Sequence, residues 1–231
     1  MIDNPFLIVN PKNLFSQKEL YEMAGIMDSL SVEYNVTLIL TAPFTELSNL
    51  RKKTNNILIA SQHVDNVVGP GMGKVSVKNL HEINVDIAVI NHAENPLYFD
   101  EISNIIKQCN EYNIHSLVCC NSLSEAKAMA FLNPTIILCE PTELIGSGKT
   151  SDLSYVKETN KIIKSVNPNI LVEQGAGIKK AEDVYRIIKA GSDGAGATSA
   201  FVDSEDRELL LRNMILALKR GIRERRSQSD N

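Results

Sequence analysis

The apolar positions of this chain fall into short, nearly continuous runs separated by amphipathic stretches from one end to the other. Eight runs read as strands: Phe6–Asn10, Val36–Thr41, Ile57–Gln62, Asp86–Asn91, His115–Cys120, Thr135–Glu140, Asn169–Gln174 and Asp193–Thr198. Their lack of polar alternation fits parallel strands covered on both faces. Between them, apolar residues return at intervals of three and four, as in Leu20, Met23, Ala24, Met27 and Leu30. Ile102, Ile105, Ile106 and Cys109 repeat the pattern, as do Val184, Ile187 and Ile188. Ser122 and Ser124 ahead of Glu125, and Asp203-Ser204 ahead of the last helical stretch, are expected to act as N-caps.

Eight strands in strict alternation with helices exceed the usual doubly wound sheet, and no linker rich in Pro, Gly or Ser interrupts them. The pattern predicts an α/β protein with a closed (β/α)8 barrel as a single domain over residues 1–231. An active site then belongs at the C-terminal ends of the strands. The longest irregular stretch, His63–Lys74, is expected to be a functional loop or a contact arm.

Composition narrows the function classes. A net charge of −4 gives no electrostatic case for nucleic acid or an anionic membrane as partner. The basic cluster Lys219, Arg220, Arg223, Arg225 and Arg226 is expected to complement the C-terminal dipole of a final helix. No signal-peptide pattern and no apolar run of about 18 residues is present, so neither export nor a membrane span is expected. Cys109, Cys119, Cys120 and Cys139 form no Cys-x-x-Cys pair and have no His at ligand spacing, which predicts reduced core cysteines, a cytoplasmic location and no metal site.

The chemistry collects at the strand ends. The first strand runs into Asn10 and Lys12, the fourth into Asn91, His92 and Glu94, and the sixth ends on Glu140. Pro141 stiffens the exit from Glu140, and Gly146-Ser147-Gly148 loosens the far side of the next loop, as suits a carboxylate under a closing lid. A single rim His or Lys is ordinarily structural or solvated. A carboxylate, a His and a Lys from three strands of one barrel converge on one cleft, where they suit proton abstraction beside a carbonyl. Glu140 takes the proton, His92 donates to the developing oxyanion, and Lys12 supplies fixed positive charge. Pro96 is positioned to open a short helix whose N-terminus keeps His92 neutral. The turns Gly175-Ala176-Gly177 and Gly196–Ala200 let backbone N–H groups approach a phosphate, so the ligand is expected to be a small phosphate ester.

Together these residues resemble the triosephosphate isomerase family, in particular its shorter archaeal-type branch. The resemblance spans essentially the whole chain, through VNPK (9–12), SQHVDN (61–66), INHAE (90–94), LVCCN (117–121), CEPTELIGSG (139–148), VNPNILVEQGAGI (166–178) and DGAGATSA (193–200). It implies the TIM barrel fold, with Glu140 as base, His92 as electrophile and Lys12 as the electrostatic residue. It also implies Asn10 as a substrate contact, Glu94 as a buried partner in that network, and residues 141–149 as the lid. The backbone of Gly146, Gly177, Thr198 and Ser199 would hold the phosphate of a small phosphorylated sugar. No metal or organic cofactor belongs to this chemistry, and a homodimer or homotetramer is implied.

The chain departs from the family pattern at Met72 in the long loop, at Ala93-Glu94-Asn95 after the His, at Ser147 in the lid and at Thr198-Ser199-Ala200. The reading is interconversion of dihydroxyacetone phosphate and D-glyceraldehyde 3-phosphate through an enediolate. Isomerisation of another short sugar phosphate, such as a tetrulose phosphate, and a non-catalytic phosphometabolite-binding barrel remain the alternatives.

Overall fold

The structure, a computed structural model, describes residues 2, 5–141 and 152–229. Strands β1 (Phe6–Val9), β2 (Thr37–Ala42), β3 (Leu58–Ser61), β4 (Ile87–Ile90), β5 (His115–Cys120), β6 (Ile136–Cys139), β7 (Leu171–Gln174) and β8 (Gly194–Ala197) form a closed barrel in sequence order. All are parallel, and β8 closes on β1 with Phe6 opposite Gly194 and Val9 opposite Ala197. The helices outside are α1 (Gln17–Tyr34), α2 (Leu47–Lys53), α3 (Val77–Glu82), α4 (Phe99–Glu111), α5 (Leu123–Ala130), α6 (Leu153–Val166), α7 (Ala181–Lys189), α8 (Ser199–Val202) and α9 (Arg207–Ser229).

Strand parity divides the apolar residues into two cores. Ile8, Ile39, Ala60, Val89, Leu117 and Cys119 pack inside the barrel, whereas Leu7, Val9, Leu38, Leu40, Val118 and Ile137 meet the helices. Continuing the inward parity past the strand ends brings Asn10 two residues beyond Ile8 and Glu140 two beyond Leu138. The alternation that buries the core therefore aims the polar residues at the C-terminal mouth.

Of the predicted strand starts that are displaced, two have a specific cause. Asp86 and Asp193 lie just outside β4 and β8, and their side chains replace a rung of the ladder. Asp86 Oδ2 accepts from the Ile59 N–H at 2.8 Å, and Asp193 Oδ2 from the Val172 N–H at 3.0 Å. Arg51 at 2.9 Å and Lys164 at 2.7 Å neutralise these carboxylates at the N-terminal end of the barrel.

Caps confirm most helix starts. Ser16 and Glu19 form a capping box on α1, and Ser122 accepts from the Glu125 N–H at the start of α5. Ser124 lies inside α5 and caps nothing. The final helical stretch is split, so Asp203 follows α8, and Asp206 takes over the start of α9 by accepting from the Leu209 N–H at 2.9 Å.

The basic cluster also departs from expectation. Lys219 donates to the Tyr34 carbonyl, Arg220 pairs with Glu224, and Arg225 donates to the Ser192 carbonyl at 2.8 Å. Lys219 and Arg225 thus fasten α9 to the barrel, and Arg226 is the basic residue of the last turn. All four cysteines are buried and free. No helix among the described residues is long and apolar enough to cross a membrane.

Closure of β8 on β1 depends on Gly194, where an added Cβ would lie 2.2 Å from Cε2 of the fully buried Phe6 ring. Gly194→Ala is expected to lower unfolding free energy by about 2 kcal/mol or more, since the ring has no vacant space to enter. Gly25→Ala, on the α1 face with nothing within 4 Å, is expected to be neutral or stabilising by a few tenths of a kcal/mol. Urea unfolding of both variants checks this, and equal effects would contradict the packing account.

Candidate active site

A cavity of about 590 Å³ opens at the C-terminal end of the barrel. Asn10, Lys12, His92, Glu94, Glu140, Gly177, Thr198 and Ser199 all line it, so residues separated by almost the full chain meet in one place. Its floor is the inner layer of the barrel, with Ile8, Val89, Leu117, Cys119 and Leu138.

The loop after β1 is built around Lys12. Its backbone has φ of 50°, in the left-handed region that non-glycine residues seldom occupy, and three contacts hold it there. Asn10 Oδ1 accepts from the Lys12 N–H at 3.1 Å and from the Thr41 hydroxyl at 2.7 Å. Gln62 Nε2 donates to the Lys12 carbonyl at 2.8 Å. Neighbouring strands thus fix the lysine that β1 presents. Thr41 and Gln62 were not predicted as site residues. Their signal was polar side chains at the ends of otherwise apolar strands.

The loop after β4 presents His92 by the same means. Asn91, at φ of 63°, donates from Nδ2 to the Cys119 carbonyl at 3.0 Å and accepts at Oδ1 from the Leu97 N–H at 3.0 Å. His92 Nδ1 accepts from the Glu94 N–H at 3.1 Å. In a neutral imidazole that acceptor role leaves the proton on Nε2. Burial pushes the His92 pKa below 6.5, Lys12 adds to the push, and Glu94 opposes it.

Two expectations for this loop are overturned. No helix opens at Pro96; a turn closes from the Asn95 N–H to the His92 carbonyl at 2.7 Å, and α4 begins at Phe99. The Glu94 N–H in that turn meets His92 where a helix N-terminus was expected. Glu94 is not buried either, since the turn directs it outward with its side chain 64% exposed. It still pairs with Lys12, Oε1 to Nζ at 2.6 Å, so the network exists in a solvated form.

Glu140 follows β6 directly, its N–H bonded to the Cys120 carbonyl at 2.9 Å. Its carboxylate packs against Gly175, where an added Cβ would lie 3.6 Å from Oε1. Burial pushes its pKa above the ordinary carboxylate value, the Glu94 charge adds to this, and Lys12 pulls the other way. A carboxylate with a raised pKa is a stronger base than one in water.

The opposite side of the cavity is formed by the turns after β7 and β8. Gly177 takes φ of 67°, and Thr198 precedes the short helix α8, which Ser199 begins. Pro141 is buried beside Glu140, while residues 142–151, including Gly146 and the rest of the expected lid, lie outside the described residues. Among the described residues no group of His, Cys, Asp and Glu is arranged to hold a metal ion.

One buried acidic residue in the cavity was missed. Glu173, on β7, shares the inward parity of Leu171 and Gly175 and is only 3% exposed. It sits one rung below Glu140 in the register that pairs Leu138 with Glu173. The available signal was an acidic residue at an inward position of an apolar strand, with Gly196 on the neighbouring strand.

Comparison with known proteins places the chain among its relatives. The family model described as triosephosphate isomerase matches residues 5–216. The chain is 30% identical to a triosephosphate isomerase of Metallosphaera sedula over 231 residues, covering 96% of this chain and 99% of that protein. It is 31% identical to one of Sulfurisphaera tokodaii, over 93% and 96% of the two chains. The corresponding enzyme of Methanothermus fervidus is 29% identical over 93% and 99%.

The charges at the mouth predict linked titrations. The His92 imidazole is expected to titrate below 6.5 in NMR, and Lys12→Met is expected to raise its midpoint by removing a nearby positive charge. The same variant is expected to raise the Glu140 midpoint, because Lys12 holds it down. Unchanged midpoints would contradict the coupling of Lys12 to both groups.

Proposed function

The chain belongs to the triosephosphate isomerase family, isomerases acting on triose phosphates, and from that premise we propose that Glu140, His92 and Lys12 perform the reaction here. The reaction interconverts dihydroxyacetone phosphate and D-glyceraldehyde 3-phosphate. The observation that carries the assignment is that all three side chains line one cavity, with the acceptor role of His92 Nδ1 directing its proton to Nε2.

The Glu140 carboxylate removes a proton from the carbon beside the carbonyl, and the electron pair moves onto the carbonyl oxygen to give an enediolate. The Nε2–H of His92 donates to that oxygen, and the Lys12 ammonium lowers its charge cost. Glu140, now protonated, returns the proton to the adjacent carbon, while His92 exchanges a proton between the two oxygens. Neutral His92 is the better match to this role, because Nε2 gives a proton to one oxygen and takes one back from the other, which returns the ring to its starting state. Asn10 contacts the substrate, and the N–H groups of Gly177, Thr198 and Ser199, with Gly146 from the lid, bind the phosphate.

The exposed apolar side chains support a homo-oligomer. Met72 is 102% exposed and Val68 85%, both in the long loop after β3, with Leu14 and Tyr98 in the loops after β1 and β4. Such a patch around one mouth is suited to covering by a second copy of the chain. Met72→Glu is expected to shift the sedimentation profile toward monomer, and an unaltered oligomer would contradict the contact role of this loop.

Glu140→Asp withdraws the carboxylate by one methylene and is expected to reduce kcat on glyceraldehyde 3-phosphate by roughly 10²-fold, with a smaller change in KM. Lys12→Ala is expected to weaken both parameters, since it removes charge facing a phosphorylated substrate. A coupled assay that includes tetrulose phosphates reads the substrate preference at the same time. Faster turnover of the tetrulose phosphate would reassign the substrate, and full activity in Glu140→Asp would reject Glu140 as the base.

A further inference from the structure

The cavity also contains a fully buried acid, Glu173, for which the proton transfer above has no role. Glu173 projects into the barrel beneath Glu140, and its Oε2 has no hydrogen-bond partner among the described residues. The space for its carboxyl group exists because β8 carries glycine there: an added Cβ at Gly196 would lie 2.2 Å from Glu173 Oε1. An ionised carboxylate without partners inside an apolar barrel would be very costly. A neutral carboxylic acid suits the site far better.

The surroundings of Glu173 are well defined. From β6 it faces Glu140, from β5 Cys119, and from β1 and β8 the uncharged Ile8, Gly194 and Gly196. Cys139 points outward from β6 into the layer beneath the helices, and burial pushes both thiols far up, so they stay protonated around neutrality. Lys12 and His92 line the same cavity but lean on Glu140 and Glu94. The carboxyl pair therefore ionises in order, Glu140 first, and its negative charge then helps retain the proton on Glu173.

Taking Glu140 as the catalytic base, we propose that Glu173 is a positioning residue for it. Glu173 stays protonated while Glu140 is ionised, and losing that proton suppresses turnover by placing a second negative charge beneath the developing enediolate. Burial together with the Glu140 charge puts this loss at about pH 8. The proton passes to solvent.

The test combines carbon NMR of the full-length protein carrying carboxyl-labelled glutamate with pH profiles of kcat/KM, for wild type and Glu173→Gln. In the wild type, one resonance absent from Glu173→Gln is expected to titrate near pH 8, and the Glu140 resonance to show a second inflection at that pH. The wild-type kcat/KM is expected to fall up to tenfold per pH unit above that point, and Glu173→Gln to lose this alkaline limb. A Glu173 resonance already ionised at neutral pH would overturn the proposal, as would an alkaline limb retained in Glu173→Gln. A wild type with no triose phosphate turnover at any pH would instead refute the assigned reaction. The NMR titration would then decide the Glu173 proton by itself, with a missing second inflection of Glu140 counting against the proposal.

Discussion

The pairing of β8 with β1 is the constraint on which the rest of this molecule depends. It turns eight strands into a closed layer, so every inward side chain shares one interior and every strand end shares one mouth. Closure requires a small residue where the last strand meets the first, and Gly194 meets that need against Phe6, while Gly196 leaves room for Glu173 from β7. The same inward parity that stacks Ile8, Val89 and Leu138 within the barrel delivers Asn10 and Glu140 above them.

At the mouth, two opposing effects set the chemistry. Burial raises the proton affinity of Glu140 and lowers that of His92, which yields a stronger base and a neutral proton donor. Lys12 lowers both affinities, limiting the first shift and reinforcing the second. Its position is therefore consequential, and its left-handed backbone is held by Asn10, Thr41 and Gln62 from three neighbouring strand ends. Strain at a functional residue persists here because its surroundings over-determine it.

Much of the fold was legible in the sequence, because parallel strands sealed by helices leave continuous apolar runs and helices leave a repeat of three and four. The strand starts at Asp86 and Asp193 were displaced because an aspartate side chain can substitute for a backbone rung, which periodicity does not register. The gathering of Lys12, His92 and Glu140 followed from chain order once a barrel was inferred. The exposure of Glu94 did not, since it depends on the turn from His92 to Asn95, and neither did the absence of a helix at Pro96. Glu173 escaped notice because its meaning lies in a cross-strand relation to Gly196 and Glu140, which a single strand does not reveal.

In the proposed reaction Glu140 moves a proton from carbon through a carboxyl group whose hydrogen exchanges with water. Isomerisation of dihydroxyacetone phosphate in deuterium oxide, followed by proton NMR of the product, reads that transfer. Solvent deuterium is expected on the carbon that receives the proton, with both turnover and labelling abolished in Glu140→Gln. Product formed without any solvent deuterium, or labelling undiminished in Glu140→Gln, would contradict it.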